Sequence, residues 1–153
     1  MLFSFFILFS CTDIVTHHLN QGLEELEFSF DINQILIDDI KVESVGFFKL
    51  NDSIYKIAIK FNDEAINEDL NKYTLGMHIK PKDSDKHLLQ KNKNYISWDF
   101  IPKLESYNNH KYVIRTLNSK VKHIKSLRIF LYNQGVYKER YGNNIILNNI
   151  TLY

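Results

Sequence analysis

Apolar and polar residues alternate along most of this chain, and the period is two rather than 3.6. The clearest run is SIYKIAIKF, where Tyr55, Ile57, Ile59 and Phe61 share one face and Lys56, Ala58 and Lys60 the other. That is the pattern of a half-buried antiparallel strand. YTLGMHIK alternates likewise, with Tyr73, Leu75, Met77 and Ile79 inward. YISWDF sets Ile96, Trp98 and Phe100 on one face and stops at Pro102, and SLRIFLYN sets Leu127, Ile129 and Leu131 on one side. Weaker runs are EFSFDI, with Phe28, Phe30 and Ile32, then ILIDDIKVE, broken at Asp38-Asp39, then VGFFKL, KYVIRTL and IILNNITLY. Between them, NDEAINEDLNK reads as a loop or one helical turn, and PKDSDKHLLQKNKN as a polar loop opened by Pro81. In NSKVKHIKS, Val121 and Ile124 have the spacing of a brief helix. NQGVYKERYGNN reads as a turn, with Gly135 and Gly142 available for positive φ. Eight or nine short strands without a long amphipathic helix predict an all-β antiparallel sandwich over residues 26–153.

The first residues break this pattern. Leu2 to Phe9 is apolar except for Ser4, far shorter than the ~20 residues that span a bilayer and suited to the core of a secretory signal. The chain has one cysteine, Cys11, directly after this run. Leu8-Phe9-Ser10-Cys11 resembles the lipobox of bacterial lipoproteins: aliphatic Leu8, small Ser10, then the cysteine. Phe9 is bulkier than that pattern prefers, and no Lys or Arg precedes Cys11. The resemblance implies a signal peptide over 1–10, a lipidated Cys11, a tether over 11–25 and a domain anchored in the cell envelope by stable acylation. The competing reading makes residues 2–9 a buried strand and Cys11 a core thiol.

Composition adds little. At 153 residues, 44% apolar and 24% charged, the chain fits one domain with a real core. Aromatics are rich at 14%, and only five Gly and two Pro occur. Abundant Asn, Lys and Ile read as nucleotide bias. The net charge of +1 provides no global field for nucleic acid, so no nucleic-acid partner is expected. The distribution is uneven: residues 1–79 carry 5 basic and 13 acidic side chains, and residues 80–153 carry 14 and 5. A sandwich interleaves its halves, so this asymmetry need not produce two faces.

The last thirty residues carry a second resemblance. Leu127, Ile129, Leu131, Tyr132 and Asn133, then Ile145, Leu147, Asn149, Ile150 and Leu152, are similar to the two closing strands of jelly-roll domains of the carbohydrate-binding-module and galactose-binding type. Asn148 stands where that pattern has Asp. The resemblance implies a jelly-roll-like fold and makes a glycan the favoured ligand class, although fold alone does not fix function.

No catalytic motif appears, and we expect no enzyme. His17, His18, His78, His87, His110 and His123 lack metal-ligand spacing. Asp83-Ser84-Asp85 copies the first half of a calcium loop without its glycine and distal glutamate, which excludes an EF-hand; turn formers and no cofactor are expected, with a loop calcium at Asp83 and Asp85 as the minor alternative. Asp38-Asp39 and Glu24-Glu25 are sequence neighbours, which does not create the facing carboxylates of glycoside hydrolysis. The candidate ligand-binding residues are Trp98, Tyr107, Tyr137, Arg140 and Tyr141, aromatic walls with a cation between them. For Trp98 the competing reading is core, and for the tyrosines it is strand-end packing. The expected function is a non-enzymatic envelope lipoprotein that binds glycan. The alternative is an assembly lipoprotein that binds another envelope protein through a sheet face or edge.

Overall fold

The computed structural model describes residues 30–51, 53–118, 120–133 and 136–152, without the side chains of 117, 118 and 136–138. Cys11, the apolar run before it, Phe28 and the proposed tether lie outside the described residues. Nine strands form two antiparallel sheets, an all-β sandwich. They are β1 (Asp31–Ile37), β2 (Ile40–Asn51), β3 (Ile54–Phe61), β4 (Tyr73–Pro81), β5 (Ile96–Phe100), β6 (Glu105–Tyr107), β7 (His110–Asn118), β8 (His123–Asn133) and β9 (Val136–Thr151). The five-stranded sheet has the order β1-β2-β3-β7-β6 and the four-stranded sheet β5-β4-β8-β9. The chain therefore crosses between sheets three times, after β3, β5 and β7. Those crossings pair β3 with β7 in one sheet and β4 with β8 in the other.

The inward faces are those the alternation marks. Tyr55, Ile57, Ile59 and Phe61 of β3 meet Leu75, Met77 and Ile79 of β4 and Leu127, Ile129 and Leu131 of β8 in one buried cluster. Trp98 lies opposite Met77 on the edge strand β5 and packs half-buried against that cluster. Contacts join the two sheets on each side of the sandwich. Gly142 and Asn143 of β9 touch β1, and Asn143 Nδ2 donates to the Ile35 carbonyl at 3.1 Å. On the other side Arg115 donates to the Ile101 carbonyl at 3.0 Å and lies over the Phe100 ring at 4.6 Å.

Four local expectations are corrected. ILIDDIKVE and VGFFKL are not separate runs: Ile35–Ile37 ends β1, Asp38-Asp39 is the turn, and β2 continues unbroken through VGFFKL. Asp38 takes φ 46°, and Asn62 fixes the turn by accepting from the Lys41 N–H and donating to the Asp39 carbonyl. Pro81 does not open the polar loop but ends β4 opposite Ile124, and Asp83–Leu88 is a short 3-10 helix. NSKVKHIKS forms no helix. Val121 and Ile124 are buried because the chain enters β8 extended, with the Lys122 and His123 N–H groups donating to Asp85 Oδ2 at 2.8 and 2.7 Å. VYKERY is strand rather than turn, since β9 begins at Val136 and pairs Arg140 with Tyr132 and Tyr141 with Leu131. NDEAINEDLNK, read as a loop or one helical turn, contains one helical turn, α1 (Asn67–Leu70).

Asparagine does much of the turning in a chain with five glycines. Asn33, Asn92, Asn108, Asn109 and Asn149 all have positive φ. Asn is the non-glycine residue that tolerates this region best. Asn108-Asn109 makes the two-residue β6–β7 hairpin, with both residues at positive φ as a type I′ turn requires. Asn149 shifts the alternation of β9 by one, so that Ile145 and Leu147 before it and Ile150 and Leu152 after it all face inward.

Candidate functional site

Asp83 and Asp85 have different surroundings. Asp83 pairs with Lys86 at 2.7 Å on the surface. Asp85 is buried and takes two backbone N–H groups and His123 Nδ1, the last at 3.1 Å from Oδ1. Burial opposes its charge, but the His123 and Lys122 donors and the Ser84 hydroxyl outweigh burial and hold its pKa below the ordinary carboxylate range. Both oxygens thus face N–H donors that pin the loop after β4 to the start of β8. Among the described residues no group of three or more His, Cys, Asp or Glu side chains converges as a metal cluster.

A prediction follows from Asp85. A depressed pKa means the native state binds fewer protons, so the contribution is present above the unfolded carboxylate pKa of about 3.9 and is lost as pH falls through the folded value. Asp85→Asn should cost about 1.5–3 kcal/mol at pH 7 by weakening charge-assisted bonds. Urea melts of both proteins should converge as the pH is lowered toward 2. A gap that stays constant with pH would contradict this role.

The five candidate ligand-binding residues do not form one patch. Trp98 faces the core from β5. Tyr107 lies on the outer face of the other sheet, packed against Ala58, Tyr112 and Ile114. Tyr141 points toward Tyr73, with ring centroids 5.4 Å apart. Arg140 points to the opposite side of β9, onto the outer face of the four-stranded sheet. The side chain of Tyr137 lies outside the described residues.

What Arg140 joins is a cluster that sequence reasoning missed. Phe130 of β8 is an outward residue, yet it is only 2% exposed. Its ring fills the space above Gly76, where an added Cβ would lie 2.5 Å from Phe130 Cζ. The Arg128 guanidinium lies 5.0 Å from the ring centroid and that of Arg140 4.7 Å, both within cation–π range. The His78 ring meets Phe130 edge-on at 4.8 Å and carries Tyr95 stacked on it at 4.6 Å. Tyr132 lies 6.1 Å from Phe130, and Asp99 stands opposite Gly76 on β5. All four strands of the sheet thus contribute.

The electrostatics of the cluster are specific. An Arg128 N–H donates to His78 Nδ1 at 2.8 Å, so that nitrogen is unprotonated and Nε2 carries the hydrogen. Burial first, then Arg128, with Arg140 adding and Asp99 opposing, lowers the His78 pKa. The imidazole is therefore held neutral between two fixed positive charges. His78 Nε2 is buried and has no hydrogen-bond acceptor among the described residues. The signal for this cluster was present in HIK and RIFLYN, but the outward position of an apolar Phe130 breaks the inside-outside alternation on which the pattern reading rests.

The outer face of the five-stranded sheet differs. Ala58, Tyr112 and Ile114 are buried there, flanked by half-buried Phe48 and Tyr107. Beside them lies an open hollow of about 380 Å³ lined by Lys56, Glu105, Ile114, Arg115 and Thr116.

No family model, curated protein or solved structure matches this chain.

Proposed function

We propose that the protein is a non-enzymatic binding module whose ligand, a glycan, engages the outer face of the four-stranded sheet. The observation that carries this reading is the cluster around Phe130: two guanidinium groups, a neutral histidine and a carboxylate beside Tyr95, which is 43% exposed. An exposed ring next to fixed hydrogen-bond donors and an acceptor suits a sugar, whose C–H face is apolar and whose rim is hydroxyls.

Trp98, Tyr107 and Tyr141 have little part in this reading, because each packs on a different element. The test is binding of the full chain to a panel of neutral and acidic oligosaccharides by calorimetry. Tyr95→Ala should weaken binding to the preferred glycan at least fivefold while leaving the melt unchanged. An unaltered affinity would remove this face from the account.

The second reading is a protein partner on the other sheet. Its support is the apolar centre of that outer face, Phe48, Ala58, Tyr112 and Ile114, with Lys56 beside it.

For location we propose a lipid anchor at Cys11 in the bacterial cell envelope, supported by Leu8, Ser10 and the single thiol. Palmitate labelling in a bacterial host should mark the wild type and spare Cys11→Ala. Equal labelling of both would refute the anchor.

A further inference from the structure

We infer that the Phe130 cluster selects acidic glycans, with Arg128 and Arg140 taking a carboxylate or sulfate while Tyr95 takes the face of the same or the adjoining sugar ring. This rests on the glycan reading above and names its substrate class. Two guanidinium groups flank one ring, 5.0 and 4.7 Å from its centroid, so two fixed positive charges stand on this part of the face. Both also depress the neighbouring histidine, so their fields overlap at His78. Asp99 supplies one negative charge against the two arginines, and Lys80, two residues from His78 on the same side of β4, adds a further positive one. The face is thus net positive with His78 neutral. Arg140 is exposed, and among the described residues no carboxylate forms an ion pair with it.

Arginine is the side chain suited to this task, because its planar fork meets a carboxylate or sulfate with two parallel hydrogen bonds. The geometry also argues against the other polyanion a sheet face can bind. Single-stranded nucleic acid needs open aromatic rings on which successive bases stack. Here Phe130 is 2% exposed and Tyr132 8%, leaving Tyr95 as the open ring of the cluster. One ring with a nearby cation pair matches a charged sugar better than a run of bases.

The experiment compares the full chain against four probes by calorimetry: a polygalacturonate oligomer, the same oligomer fully methyl-esterified, a neutral galactan oligomer and a single-stranded RNA oligonucleotide. The acid should bind at least tenfold more tightly than its ester, and its affinity should fall as salt rises. Arg140→Gln should remove most of that difference while melting like wild type, since the residue is exposed. Equal affinity for acid and ester, or binding of the galactan alone, would overturn the acidic preference and leave the glycan reading standing. No binding to any glycan would overturn both. Binding of RNA alone, lost in Arg140→Gln, would overturn both in favour of nucleic acid. The acid-ester comparison uses only wild-type protein, so the inference stays testable even if the variant fails to fold.

Discussion

Gly142→Ala is expected to destabilise the protein by on the order of 3 kcal/mol, from left-handed backbone strain and forced overpacking together. Gly142 has φ 64°, and an added Cβ would lie 2.0 Å from the Leu36 carbonyl oxygen and 2.9 Å from Ile37 Cβ. The obstacle is backbone, so no rotamer change relieves it. Strand β1 would have to move from β9, breaking the Asn143 bond to the Ile35 carbonyl and opening one side of the sandwich. Gly142→Asn separates the two causes. Asparagine is at home at positive φ in this chain, as at Asn108 and Asn149, but it still carries a Cβ. Urea melts should show both variants far below wild type at an unchanged m-value. If Asn restores wild-type stability, close approach is not what requires glycine here.

Ile57→Asp should abolish the cooperative folding transition. Ile57 is fully buried at the centre of the five-stranded sheet, between Phe47 of β2 and Arg115 of β7. The change removes about 2–3 kcal/mol of apolar burial and places a carboxylate in a dry core, a cost of several kcal/mol more. Together these approach the ~5–15 kcal/mol that holds a typical domain folded. Lys56→Asp, one residue away on the outer face, should cost about 1 kcal/mol or less, because its surroundings are solvated. Circular dichroism with thermal melts distinguishes them. Similar melts for the two variants would mean the strand register of β3 is wrong.

The core was legible because inward positions of a half-buried strand are marked by simple alternation. Tyr55, Ile57, Ile59, Leu75, Met77, Leu127 and Ile129 could be placed from spacing alone. The errors fall where something other than alternation controls the backbone. The segment Lys120–Lys122 is held extended by a carboxylate 37 residues away, which no local pattern reports. The beginning of β9 is paired but lies past the main core, so it carries charges rather than alternating apolar residues. The excess of asparagine, read as nucleotide bias, also supplies left-handed turns that glycine usually makes.

The site was less legible than the fold. Ligand candidates chosen by residue type scatter over both sheets and the core, because an aromatic side chain is as useful inside as outside. Arg140 was among the candidates, but the residues it packs with were not. Arg128 and His78 are 50 residues apart and meet only because β4 and β8 are neighbours. Gly76 and Phe130 depend on each other in the same way, one leaving the space that the other fills. Such cross-strand complementarity exists only once the sheet order is known.

The most direct test of the central claim is a heteronuclear NMR titration of the isotope-labelled full chain with the tightest-binding oligosaccharide. The account predicts that amide and side-chain shifts concentrate at residues 76–78, 95–99, 128–132 and 140, with the Arg140 guanidinium and the Tyr95 ring among the largest. Shifts confined to Phe48, Ala58, Tyr107 and Ile114, on the outer face of the other sheet, would contradict it.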